Sequence, residues 1–270
     1  MIKIVIKAFK RFAWFRRFNA KITYEILAKH IPGSDWQFMN YGYAPCVTEK
    51  KIKCAIGVKD QLYPLQMYHY LALKTIVEGK QLLEVGSGRG GGARHIASTM
   101  NPAFYTGMDI AQSAVDLANK LHPLPNLKFI AGSAEDIPLP DNSIDVVINV
   151  ESSHAYGSVE KFLSEVKRVL RPGGYLMLVD FRSENTMCKF KAQLKNSGMT
   201  LVEEEDIRDN VLRSIEIEDE SKWNRIRAHI PAKWQKLFSD FAGVVGSRFH
   251  LTLKDGSRDY YRFVMQKPIA

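Results

Sequence analysis

From about residue 60 onward, apolar residues recur along the chain at two different periods. "DQLYPLQMYHYLALKTIVEG" has the spacing of an amphipathic helix running to about Val77 with Gly79 as its stop, and "KQLLEVG" is a short apolar run of strand length. The glycine-rich "GSGRGGG" follows, then a helix near residues 91–100 and a second strand in "FYTGMDI". "AQSAVDLANKL" predicts a helix, "LKFIAG" a third strand and "SIDVVINV" a fourth. "SVEKFLSEVKRVLRPGG" predicts an amphipathic helix closed by Pro172 and two glycines, and "YLMLVDF" a fifth strand. Strands alternating with helices in this way imply a doubly wound, mostly parallel α/β sheet over residues 80–181. Beyond it, "SKWNRIRAHI" and "PAKWQKLFSDFAG" predict short amphipathic helices bearing Trp223, Ile226, Ile230, Trp234, Leu237 and Phe241, and "DYYRFVMQK" a final strand. "GSRFHLTLKDG" fits a hairpin strand or a helix ended by Gly256, and periodicity leaves both open.

Charge changes the picture only at the start of the chain. The net charge is +9, and residues 1–24 hold seven Lys/Arg (Lys3, Lys7, Lys10, Arg11, Arg16, Arg17, Lys21) before the first acid, Glu25. Taking these seven from the 38 basic residues leaves 31 against 29 acidic ones, too even for a nucleic-acid track. Residues 1–18 set Lys3, Lys7, Lys10, Arg11 and Arg17 opposite Ile2, Val5, Ile6, Phe9, Phe12 and Ala13 on a helical wheel. Such a helix either packs on the domain or lies on an anionic membrane face. Its apolar run is too broken for a span or a secretory signal, so a cytoplasmic location is expected, with the inner membrane face as the peripheral surface. Cys46, Cys54 and Cys188 have no ligand or C-x-x-C spacing and are expected to be reduced and structural, with no metal implied.

The chemistry concentrates in "LLEVGSGRGGG". Gly86, Gly88 and Gly91 satisfy G-x-G-x-x-G, and Asp109 follows at the distance a dinucleotide fold would want. Glu84 argues against that reading, because a pyrophosphate on this turn would face a carboxylate in a partly desolvated place. The same carboxylate suits a cationic, phosphate-free ligand such as S-adenosylmethionine (SAM). On that reading Gly86, Gly88 and Gly90 let the backbone approach the cofactor, and Asp109, beside Ile110, accepts the ribose hydroxyls. Ser133, Ala134 and Glu135 offer backbone groups to an adenine edge, and Asn149 and Glu151 belong to "NVESSHAY", the strand and loop that complete the rim.

These stretches resemble the Rossmann-like SAM-dependent methyltransferases. "LLEVGSGRGGG" is similar to their first motif, "TGMDI" to their acidic ribose motif, "GSAEDIPLPD" to their adenine motif, and "RVLRPGGYLMLVDF" to their last core motif, together spanning residues 82–181. Ser133 stands where the family usually carries Asp, which bears on the adenine contact. "MNYGYAP", "QMYHYLAL", "NVESSHAY", "NVLRSI" and "GSRFHLTLKDGSRDYYRF" look like the subgroup of phthiotriol/phenolphthiotriol dimycocerosate, fatty-acid and polyketide O-methyltransferases. The subgroup implies a lipidic or polyketide acceptor and favours a helix at residues 247–255. It also implies that Tyr41 and Tyr43 close over the methionine carboxylate, with aromatic core packing as the competing account. The expected organisation is an N-terminal helix and cap segment (1–58) and a methyltransferase domain (59–270) with a helical lid at about 207–256.

An oxygen acceptor must lose its proton, which calls for a base. His154, after the fourth strand, is the candidate, with Asp180 orienting its imidazole; the bland alternative is a loop histidine bonded to backbone with Asp180 as a cap. Methyltransferases of similar architecture carry His and Asp at matching points. Glu151 could hold His154 or the cofactor's ammonium, or be a solvated acid. Tyr68 and His69 either line the acceptor pocket or pack in the core, and Arg89 is expected to face solvent. Trp223, Trp234, Leu237 and Phe241 suit an apolar lid or a core. The rival functions are carbon methylation of a terpenoid or sterol, a dehydrogenase, and a non-catalytic SAM binder.

Overall fold

The computed structural model describes residues 36–45 and 61–269. The expected N-terminal helix, Cys46 and Cys54 lie outside the described residues, as does the side chain of Leu237. Chain order runs α1 (Leu62–Ala72), β1 (Gln81–Val85), α2 (Gly91–Thr99), β2 (Phe104–Asp109), α3 (Gln112–Leu121), β3 (Leu127–Ala131) and β4 (Ile144–Val150). It continues through α4 (Val159–Val169), β5 (Leu170–Ser183), α5 (Glu184–Lys195), β6 (Thr200–Asp206), α6 (Arg208–Ile217), α7 (Asp219–His229), α8 (Ala232–Ala242), α9 (Arg248–Lys254) and β7 (Arg258–Gln266). One seven-stranded sheet has the order β3-β2-β1-β4-β5-β7-β6. The first five strands pair in parallel, and β7 runs antiparallel to both β5 and β6.

The period of two along each strand sorts side chains onto two cores. On β1, Leu82 packs with Tyr68, Ile96 and Tyr105 on one face, whereas Leu83 and Val85 pack with Val147, Phe162 and Leu178 on the other. Burial on both faces explains why β1 and β4 read as continuous apolar runs. α4 shows why these helices start and settle where they do. The Ser158 hydroxyl accepts the Lys161 N–H at its first turn, and Phe162, Leu163, Val166 and Val169 form the buried stripe.

Two elements resolve what periodicity left open or missed. Residues 248–254 are helical: Ser247 caps them by accepting the His250 N–H, and Gly256 follows in the left-handed region at φ +78°. β6 was not foreseen, because "TLVEEED" shows no buried alternation. It is an edge strand whose Glu203 and Glu205 flank Arg262 of β7, a guanidinium without exposed surface. Cys188 is free but exposed, not the structural cysteine expected.

Gly90, capping α2 at φ +79°, holds the turn after β1 against β3. A Cβ there would fall 2.4 Å from the Phe129 ring, whereas one at Gly79, also at positive φ, meets nothing within 4 Å. Gly90→Ala should therefore cost about 3 kcal/mol or more and Gly79→Ala only about 1 kcal/mol. Urea unfolding of the two variants checks this, and equal costs would contradict the close packing.

Candidate active site

The strand ends of β1 to β4 deliver their loops to one rim, the place where open α/β sheets bind ligands. A cleft of about 950 Å³ opens there. Its floor is Val85, Gly86, Ser87 and Gly88; Asp109 and Ile110 come from the end of β2, Ser133, Ala134 and Glu135 from the loop after β3, and Glu151, Ser152 and Tyr156 from the loop after β4. The segment Gln37–Asn40 and Tyr68 of α1 form the opposite wall.

Asp109 is largely buried and accepts the Gly88 N–H at 2.9 Å and the Ala111 N–H at 3.0 Å, one on each oxygen. A carboxylate is an acceptor-only group of the kind that holds ligand hydroxyls. Glu135 accepts the Ser158 N–H, and the Ser133 hydroxyl accepts the Glu135 N–H, so this loop, which lines the cleft, is pinned.

Several expected contacts fall elsewhere. Glu84 does not reach the cleft. It shares a strand face with Leu82, so its carboxylate turns beneath α1, where the hydroxyls of Tyr68 (2.7 Å) and Tyr105 (3.1 Å) donate to its two oxygens. Complete burial raises its pKa to about 7, partly offset by those hydrogen bonds. It supports the Tyr68 wall. Of the three glycines, only Gly88 has an open Cβ direction, with Met39 Sδ 3.9 Å away; a Cβ at Gly86 would strike Ser152, and one at Gly90 Phe129. Asn149 is wholly buried, and its amide donates to the Val85 carbonyl, Ser152 and Tyr156, tying β4 to β1 behind the cleft.

The tyrosines of "MNYGYAP" do not aim phenols at a carboxylate. Tyr43 is buried and stacked on Tyr70 with ring centroids 4.0 Å apart. Tyr41 stacks on Phe249 at 3.8 Å and donates its hydroxyl to the Phe241 carbonyl. Its backbone N–H donates to Glu151 at 2.9 Å, and Tyr260 of β7 donates its hydroxyl to the same oxygen. Glu151 adopts a left-handed φ of +48°, and burial raises its pKa to about 8. Arg89 is buried in the cleft wall and not in solvent, and His69 pairs with His95 at 3.0 Å away from the cleft.

His154 and Asp180 do come together. His154 Nδ1 lies 2.8 Å from Asp180 Oδ1, and its backbone N–H donates to Oδ2. Ser153 donates its hydroxyl to the same oxygen, and Arg182 lies 3.1 Å from it. Burial works to raise the Asp180 pKa, but Arg182 and His154 hold it well below the usual carboxylate range. His154 stands beside the cleft, one-third exposed, with its ring 4.4 Å from Phe181. Arg182 was missed although its signal was present: two residues from Asp180 on one strand, it shares that residue's face.

A doubly wound sheet with an acid at the end of β2, an open glycine after β1 and a pinned loop after β3 defines a Rossmann-like methyltransferase fold. The methyltransferase domain family matches residues 83–178. The phthiotriol/phenolphthiotriol dimycocerosates methyltransferase of Mycobacterium tuberculosis is 38% identical over 246 residues, 90% of each chain. The fatty-acid O-methyltransferase of Mycolicibacterium smegmatis is 32% identical and spans 98% of this chain and 97% of that protein. Among solved structures, the [4+2]-cyclase SpnF shares the fold at a TM-score of 0.70 and 18% identity, covering 93% of this chain and 96% of its own. The chain belongs to this family of SAM-dependent methyltransferases. The cleft fits the cofactor, since Asp109, residues 133–135 and Gly88, whose Cβ direction is open, line one space.

Glu84 supplies a pH test. The folded protein holds its proton more tightly than the unfolded chain, whose ordinary value is 4.5, so the stability it contributes is full below that value and is lost as pH rises through about 7. Glu84→Gln should therefore gain on the parent by up to about 3 kcal/mol between pH 5 and 8. A denaturant series across that range reads the difference, and a flat difference would exclude the raised pKa.

Proposed function

We propose that this methyltransferase acts on an oxygen, hydroxyl or carboxyl, of a lipid, polyketide or other apolar small molecule, and that for a hydroxyl acceptor His154 is the base that takes its proton. The observation that carries the reading is the His154–Asp180 pair, which neighbours in the chain Ser152, Ala155 and Tyr156 of the cleft lining. The names of the relatives from M. tuberculosis and M. smegmatis support the substrate class.

When bound, SAM supplies a methyl group on a cationic sulfur, and the chain must align an acceptor with it and remove a proton. Asp180, anionic and hydrogen-bonded to Nδ1, favours the tautomer whose Nε2 is free to accept. It also stabilises the imidazolium that forms, as the carboxylate of a hydrolase triad does. Arg182 balances the carboxylate charge, so the trio carries no net charge before the proton arrives. Phe181 packs edge-on against Tyr41 (5.7 Å) and Phe249 (4.9 Å), an aromatic cluster that walls one side of the imidazole.

Helices α6 to α9, between β6 and β7, are the part of the chain that would cover such an acceptor. Phe241 and Trp234 on α8 are exposed, and Trp223 joins Ile226, Ile230 and Val244 in a small separate core. The described residues include no helix long and apolar enough to cross a membrane. The basic first 24 residues are the feature that would bring the protein to an anionic membrane face.

Incubation with labelled SAM and a panel of long-chain alcohols and fatty acids should yield methyl ethers or esters. His154→Ala and Asp180→Asn should each lower turnover by about 10²- to 10⁴-fold while leaving SAM affinity unchanged. Label appearing on carbon, or undiminished turnover without His154, would remove the assignment.

A further inference from the structure

A second, smaller pocket, about 400 Å³ counting the solvent at its open mouth, adjoins the cofactor cleft, and Phe38, Met39 and Asn40 line both. Its walls are apolar where Trp36, Phe38, Met39 and Phe241 meet it, and cationic where Lys222 and Arg225 of α7 enter. Lys222 is only 6% exposed, and its Nζ has no hydrogen-bond partner among the described residues. The ammonium lies 5.8 Å from the centre of the Tyr41 ring. Glu218, Glu151 and Asp219 act on it through space, against Arg225, and the first two carboxylates accept hydrogen bonds of their own, from Tyr63 N–H and Tyr41 N–H respectively.

A buried ammonium without a hydrogen-bonding partner is a costly arrangement that ordinary packing would not retain. Burial lowers its pKa to about 8, with Glu218 opposing the shift, so it still carries charge at neutral pH. An apolar cavity with a cation at its end is complementary to an amphiphile with an anionic head.

We infer that Lys222, with Arg225 beside it, binds the carboxylate of an apolar acceptor whose chain lies against Trp36, Met39 and Phe241. The inference rests on the lipid-acceptor reading above and narrows it to carboxylate-bearing molecules. A carboxylate could also come from the methionine part of the cofactor, because the two pockets share Phe38, Met39 and Asn40 as lining.

The full-length protein would be titrated calorimetrically with dodecanoate and with 1-dodecanol, as the parent and as Lys222→Met, which keeps the length of the side chain and removes its charge. Dodecanoate should bind more tightly than the alcohol, and the substitution should weaken dodecanoate about ten- to hundred-fold while leaving the alcohol unchanged. Equal binding of the two probes, or an equal loss for both, would overturn the proposal. SAM and 5′-methylthioadenosine, which lacks the amino-acid part, form the second arm. Unchanged SAM affinity in the variant supports the acceptor site; a loss of SAM affinity with methylthioadenosine affinity kept would assign the lysine to the cofactor and overturn it. Should Lys222→Met fail to fold by circular dichroism, Arg225→Gln takes its place under the same criteria. Failure to methylate any acceptor, with dodecanoate still bound through Lys222, would remove the proposed oxygen methylation and leave the subsite standing.

Discussion

Asp180 is a carboxylate with no exposed surface at the end of the central strand β5, and the donors that converge on it organise the rim. The backbone and ring of His154, the Ser153 hydroxyl, the Phe181 N–H and the Arg182 guanidinium all point at its two oxygens. A buried charge of this kind is tolerable only when fully satisfied, so the loop after β4 cannot move independently of β5. That coupling places the imidazole beside Phe181 and leaves Glu151, Ser152 and Tyr156 of the same loop lining the cofactor cleft.

The other buried charges extend this arrangement outward. Glu151 joins three parts of the chain that are far apart in sequence: the loop after β4, the covering segment through Tyr41, and β7 through Tyr260. Glu84 plays the corresponding role below the cleft by holding Tyr68, a wall residue, and Tyr105 of β2. Both carboxyls have raised pKa values because burial outweighs the phenolic and amide donors around them. Lys222 differs in kind, since its ammonium has no hydrogen-bond partner among the described residues, and that makes it informative about a ligand.

Much of the fold was legible because its strands and helices bury different periods of apolar residues. The order of β1 to β5, the helix at residues 248–254 and the meeting of His154 with Asp180 follow from local pattern combined with family likeness. β6 escaped because an edge strand paired on one side need not alternate in polarity. Its glutamates are balanced by Arg262, which sits nearly sixty residues away. Glu84, Tyr43, Asn149 and Gly90 were placed at the ligand although they support the frame around it. Glu84, Tyr43 and Asn149 commit their side chains to partners within the chain, and the Cβ direction of Gly90 is filled by Phe129.

The sequence by itself determined the class of fold, the cofactor and the rim on which the chemistry sits, because these depend on spacing along single strands and turns. The tertiary structure alone decided which polar groups face the cleft and which are consumed by the core. A side chain's direction depends on the strand face it occupies and on the partners brought there from distant segments, as Tyr68 and Tyr105 are brought to Glu84. The same holds for the cavity at Lys222: its walls come from residues 36–41 and 222–242, and only folding makes them neighbours.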